Sequence, residues 1–237
     1  MLITTLELDV GLAIVAAGGF SLGVWLRPQE TAFKVRSAKA GRAGESRVAA
    51  TLRLAGHSAI HDLTIRVAGK SHQLDHIVTG TNRLFVLETK NWRGRVKGYP
   101  SSRHWTLHRP NHSLIWTYSP LAQNAVHAAA LSKLVRVPVT PLIVSAGYVE
   151  LSAELESLIT PLKDLPQRLD PPGTASHAIH AAFERLSALK AHPRQRSVAA
   201  RHHDRTIARF NPRPTDTLFL ASAVAVAALI LLNHALF

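Results

Sequence analysis

The segment Leu84-Phe85-Val86-Leu87-Glu88-Thr89-Lys90 constrains this chain more than any other. It has the apolar run of a buried strand and ends in a carboxylate and an ammonium. Residues i and i+2 of a strand share a face, so Glu88 and Lys90 project side by side, with Thr89 opposite. Removing a charge from water is costly unless it is paired or bound to metal. A buried strand that carries both charges to one spot marks either a structural ion pair or a working site. A second strand-like run, Gln73-Leu74-Asp75-His76-Ile77-Val78, carries Asp75.

The surrounding pattern supplies neighbours for these strands. Gly69, Lys70 and Ser71 read as a turn between Ser58–Val67 and Gln73–Thr79, and Gly80-Thr81-Asn82 as a tight turn before Arg83–Lys90. Three such runs form an antiparallel meander. Ahead of them Lys39–Gly44, with Gly41 and Gly44, reads as a small, polar, basic linker, after which Glu45, Val48, Ala49, Leu52 and Ala55 follow helical spacing up to Gly56. Glu45 falls on the apolar stripe of that helix, where an acid is either dipole-stabilised or part of a site. Downstream, Pro120–Val135 reads as a helix with Gln123 and Asn124 in its first turn. Val137–Ser145 reads as a strand despite Pro138 and Pro141, and Glu150–Leu158 as a short helix. Ala175–His192 is an amphipathic helix ended by Pro193. Helix, three strands, helix and strand predict an α/β sandwich with a mixed sheet, its two carboxylate-bearing strands central and adjacent.

The ends have a different character. Val10–Leu26 and Thr217–Phe237 are almost wholly apolar, and a membrane-spanning helix needs about 20 such residues. Glu7 and Asp9 precede the first run and Arg27 follows it, the reverse of a cleaved signal. Basic residues flank the inner end of each run, so the positive-inside rule expects a cell-membrane protein with two spans and a cytoplasmic central domain. Gly19/Gly23 and Ala221/Ala225 would permit helix pairing, and hence a homo-oligomer, through these spans. The expected organisation is an N-terminal anchor over 1–27, a basic linker over 28–40, the central domain over 41–165, an amphipathic helix and basic tether over 166–214, and a C-terminal span over 215–237. The partners expected are the lipid bilayer and, from a net charge of +13, a polyanion such as nucleic acid. The chain has no cysteine, which excludes disulfides, thiolate catalysis and thiolate-bound zinc. Trp92, Arg93, Arg95, Lys97, Tyr99, Arg103, Trp105 and Arg109 interleave cations with aromatics. Such a stretch suits a nucleic-acid track; equally, Trp105 and Tyr99 could simply pack a later hairpin.

Asp75 and Glu88 are the chemistry-bearing pair. Two carboxylates held close repel one another unless a cation lies between them. Mg²⁺, with Mn²⁺ as a substitute, binds through a few oxygens while keeping water ligands, and it activates water against a phosphodiester. Asp75, Glu88 and the Thr89 carbonyl are the expected ligands, with Glu45 adding one directly or through water. Lys90 would orient or deprotonate the attacking water. The competing reading of Glu88 and Lys90 is a plain ion pair at a strand end.

These residues resemble a known family. Gly41-Arg42-Ala43-Gly44-Glu45, Gln73–Val78, and Leu84–Lys90 followed by Asn91-Trp92-x-Gly94 look like the nuclease-related domain, NERD, and Pro120-Leu121-x-Gln123-Asn124 is similar to its downstream helix motif. That family is similar to the PD-(D/E)XK nucleases. The resemblance implies a restriction-endonuclease-like fold and Mg²⁺-dependent cleavage, with Glu45, Asp75, Glu88 and Lys90 catalytic and Gln123 in support. The expected whole is a restriction-endonuclease-like mixed-sheet sandwich flanked by two transmembrane helices. Its expected function is that of a membrane-anchored nuclease acting on DNA. The alternative is a non-catalytic nucleic-acid-binding or scaffolding protein that keeps the fold.

Overall fold

The computed structural model describes residues 36–192. A helix over 36–54, α1, opens this region. Its alanines favour the helix, which takes in the Lys39–Gly44 stretch expected to be linker. It stops at Gly56, whose φ of +80° is the left-handed C-terminal stop anticipated for it. His57 N–H donates back to the Leu52 carbonyl at 2.9 Å across that stop.

Strands β1 (Ala59–Val67), β2 (Lys70–Thr79) and β3 (Leu84–Lys90) form the meander. The first turn is tighter than expected. Val67 pairs with Lys70, and Ala68 and Gly69 both have positive φ (+49° and +77°), as a two-residue turn matched to strand twist requires. Strands β4 (Gly94–Lys97), β5 (His104–His108) and β6 (Leu114–Tyr118) follow, then α2 (Pro120–Val135) and β7 (Val139–Ser145). The chain continues through β8 (Val149–Leu151), α3 (Ala153–Glu156), β9 (Ile159–Pro161), a 3₁₀ turn at Leu162–Asp164, α4 (Leu165–Arg168) and α5 (His177–Ala191). Only Ala153–Glu156 of the helix expected over Glu150–Leu158 is helical, because Val149–Leu151 instead pairs in parallel with β4.

The main sheet has the order β1-β2-β3-β7-β9, antiparallel up to β3 and parallel beyond it. It is the mixed sheet expected, and both carboxylate-bearing strands are interior. On one face Leu84 and Val86 pack with Leu131 and Val135 of α2 and with Ile179, Phe183 and Leu186 of α5. On the other Phe85 and Leu87 pack with Val48 and Leu52 of α1 and with Leu165 and Leu169. Alternation along β3 thus sends successive residues into two separate cores.

Pro141 lies opposite Val86 in β7 but ahead of the stretch that pairs with β9, and its nitrogen faces away from β3, so its missing N–H leaves no ladder bond unmade. Asn124 of α2, fully buried, ties the helix to both strands: its Nδ2 donates to the Val86 and Leu142 carbonyls, each at 2.9 Å. A second, four-stranded sheet runs β6-β5-β4-β8. Its inner face buries Val96, Trp105 and Leu107 against Trp92, Ile143, Leu155 and Ile159. Hairpin packing is therefore the better reading of that stretch for Trp105, whereas Tyr99, expected to pack with it, is exposed.

The flanking transmembrane helices of the expected fold class are not supported. Among the described residues no helix is long and apolar enough to cross a membrane. The long helix α1 carries Arg36, Lys39, Arg42, Glu45, Arg47 and Arg53, charges that bar it from hydrocarbon. The runs 1–27 and 215–237 lie outside the described residues, as does the tether beyond 192. The fold is a mixed α/β sandwich with an added small sheet.

Candidate active site

The site forms where β2 and β3 part. The β2–β3 ladder reaches His76↔Leu87, and one step further the same register would set Asp75 across from Glu88. The β1–β2 ladder also skips a rung at this point, running to His61↔His76 and resuming at Leu63↔Leu74 in the same register. Asp62, facing Asp75 across the skip, has φ +49°. Ile60 and Ile77 before the skip, and Leu63 and Leu74 beyond it, enter the same core although their parity differs. The strand pair therefore rolls over at Asp75, as at an irregular rung. The roll frees the Asp75 carboxylate from the ladder and lets its Oδ2 accept the Thr89 N–H at 2.8 Å.

Glu88 is buried at 3% exposure. Its Oε1 accepts from Lys90 Nζ at 2.7 Å, so the two charges at the strand end meet as their spacing implies. Lys90 Nζ also reaches Gln123 Oε1 at 3.3 Å, which brings the first turn of α2 into the site. Glu88 Oε2 has no hydrogen-bond partner among the described residues. His127 Nδ1 lies 3.6 Å from it, too far for a hydrogen bond. Burial holds His127 below the ordinary imidazole range, so it gives Glu88 no cation at neutral pH. A buried carboxylate oxygen left open is costly, and it is a natural place for a metal or a donor to arrive.

Asp75 carries the electrostatic signature of the site. Burial pushes its carboxyl up, the charges of Glu88 and Glu45 push it further, and the Thr89 N–H and Lys90 pull it back, leaving it at about 8. Glu45 is raised too, first by burial and then by Asp62 and Glu88. Each of the expected acids thus lies in the field of the others. Glu45 reaches this field because α1 passes unusually near the end of β3. A Cβ on Gly44 would come within 2.8 Å of Asn91 Cβ and 3.4 Å of Thr89 Cγ2. Asn91 locks the approach, donating to the Ala40 carbonyl at 2.7 Å and accepting from Arg47 at 2.6 Å.

All five expected catalytic residues therefore gather around the β3 end, but not as one tight ligand cage. No group of three His, Asp or Glu side chains among the described residues is close enough to hold a metal ion. The donors suit a cation held with fewer protein ligands. Asp75 and Glu88 are hard oxygen donors in mutual repulsion, and one oxygen of Glu88 is open. The Thr89 carbonyl shares its strand edge with the N–H that meets Asp75. Mg²⁺ is commonly bound by one or two carboxylates with water and substrate oxygens filling the rest, and this set fits it; Glu45 fits a place reached through water.

The sequence did not single out His127, and it offered Asn91 and Asn124 only as motif positions without a role of their own. His127 was legible in principle, since it follows Gln123 by four residues and so shares its face of α2. His72 stacks edge-on against it at 5.8 Å. The other clustered histidines lie apart from these: His61 and His76 approach through their Nδ1 atoms at 2.7 Å, and burial pushes His76 down to about 3.

An uncharacterised protein of Bacillus anthracis is 32% identical over 101 residues, covering 40% of this chain and 46% of that protein, so the match spans less than half of its length. No solved structure matches the chain. Residues 40–146 match the family model of the nuclease-related domain, the stretch that holds Glu45, Asp75, Glu88, Lys90 and Gln123. The chain carries a nuclease-related domain, NERD, over residues 40–146.

Proposed function

We propose that this domain is a metal-dependent nuclease that hydrolyses phosphodiester bonds, with DNA as substrate, and that its site is a variant of the PD-(D/E)XK arrangement. One observation carries the reading. Glu88 is buried with one oxygen on Lys90 and the other open, beside an Asp75 whose carboxyl burial and neighbouring acids have lifted to about 8. A purely structural ion pair accounts for the first oxygen and leaves the second, and Asp75, unexplained.

Asp75, Glu88 and the Thr89 carbonyl would hold Mg²⁺ or Mn²⁺, with Glu45 acting through water. The ion, when bound, supplies charge neutralisation at the phosphate and a more acidic water. Lys90 keeps one donor on Glu88 and one on Gln123; the third is available to orient the attacking water or a phosphate oxygen. Gln123 fixes the Lys90 ammonium in that direction. The Thr89 N–H holds the Asp75 carboxylate toward β3, where it lies in the field of Glu88.

The test is cleavage of plasmid and linear DNA by the full chain with Mg²⁺ or Mn²⁺, with EDTA as control. Asp75→Ala and Lys90→Ala are each expected to lower the rate by about 10²- to 10³-fold, as loss of one charge-stabilising group does elsewhere. Gln123→Ala should cost less, since it acts through Lys90. Cleavage that persists in both Asp75→Ala and Lys90→Ala would remove the site assignment.

A further inference from the structure

The outer face of the second sheet has an unusual make-up. Its inner face is apolar, as a half-buried sheet requires. Period-2 alternation should then make the outer face polar, yet edge strand β6 turns Leu114, Trp116 and Tyr118 outward, at 51%, 70% and 46% exposure. The register places these opposite His108, Thr106 and His104 of β5, and Lys97 of β4 follows in the next row beside Thr106. His104 and Tyr118 meet edge-on at 5.8 Å. The face has one acid, Glu150, and Arg95 covers it at 2.8 Å. Two exposed rings therefore lie one strand away from Lys97 on an open sheet whose one acid is already paired.

We propose that this face is a binding platform for single-stranded nucleic acid. The proposal rests on the nuclease reading, which it deepens by naming the form in which substrate approaches. Bases have apolar faces that stack on exposed rings, and phosphates are met by neighbouring cations; such surfaces track a single strand with little sequence preference. A duplex keeps its bases stacked inside and cannot use Trp116 in this way. Charge favours this occupant over a second copy of the chain, which bears the same +13. Position favours it as well. β6 runs through Ser119 into α2, whose first turn carries Gln123, and β4 follows directly from the β3 end that carries Lys90. A strand lying on the platform is led toward the site at both of these connections.

The experiment measures binding of the full chain, in EDTA, to a fluorescein-labelled oligothymidylate and to a duplex of equal length. Oligothymidylate is expected to bind more tightly. Trp116→Ala and Tyr118→Ala should each weaken it about 5- to 100-fold, and Trp116→Phe should restore most of the loss, while Leu54→Ala, at an exposed apolar side chain on α1, leaves affinity unchanged. Both aromatic positions are exposed, so the variants should keep the fold. Equal affinity for wild type and Trp116→Ala would overturn the proposal. So would a wild-type dimer in ultracentrifugation that Trp116→Ala dissociates, together with no oligothymidylate binding. If the wild type cleaves nothing but binds single strands through Trp116, the nuclease reading falls and the platform stands.

Discussion

Asp75 links the site to the stability of the domain. Its carboxyl titrates near 8 in the fold, raised by burial and by Glu88, against 3.8 when free. Between those values the folded state holds a proton that the unfolded state has lost, so metal-free stability falls as pH rises from about 4 through 8. Denaturation of the metal-free protein across that range should show this slope, and Asp75→Asn should flatten it while stabilising the protein at pH 8. Bound Mg²⁺ works in the opposite sense, because it requires the ionised carboxylate. It should raise the melting temperature of the wild type at pH 8 and leave Asp75→Asn unmoved. Glu88 and Lys90 were legible from strand parity alone, and so was their shared face. The lift on Asp75 was not, because it depends on a roll between β1 and β2 that no local pattern announces. Nothing in the residues around Asp62 signals that its φ turns positive.

At the scale of elements, α1 illustrates how one helix can hold two glycines for different reasons. A helical glycine normally costs about 1 kcal/mol against alanine. No atom would lie within 4 Å of a Cβ on Gly41, so Gly41→Ala should stabilise the domain by about 0.5–1 kcal/mol in urea denaturation. A Cβ on Gly44 would collide with Asn91. Gly44→Ala should therefore give no such gain, and it should lower cleavage by moving Glu45 away from Glu88. The sequence marks both residues equally as breakers, which is why Lys39–Gly44 reads as a linker until the contact with Asn91 is known. Strand β7 poses the converse problem. Its apolar run Leu142–Val144 declares a buried strand, whereas Pro141 argues against an interior one. Position resolves this: Pro141 precedes the stretch of β7 that pairs with β9, and its nitrogen faces away from β3, which no local pattern announces.

For the molecule as a whole, the order helix, three strands, helix, strand could be read because each long element has its own hydrophobic period. The small sheet could not. Its strands are short, and the parallel pairing of β4 with β8 joins segments separated by all of α2 and β7. The contribution of α5 was visible as an amphipathic pattern, but its partner was not. Ile179, Ala182, Phe183 and Leu186 are all buried in the core under the main sheet. Burying each large one contributes about 1.5–3 kcal/mol, together a large part of the ~5–15 kcal/mol that stabilises a domain. A fragment ending at residue 165 should therefore fail to give a cooperative melting transition, whereas one that continues through α5 should melt cooperatively.

The small sheet is attached in a way that has mechanical meaning. The chain leaves the main sheet just after Lys90, builds β4 to β6, and comes back just before Gln123. Lys90 and Gln123 touch each other. The two ends of the excursion therefore close on one contact, while β8 and the core around Trp105 and Ile143 pin the rest of the small sheet. If the outer face holds a strand as proposed, a pull along it would reach the Lys90–Gln123 contact from both ends at once, and grip on the polymer and alignment of the ammonium would vary together.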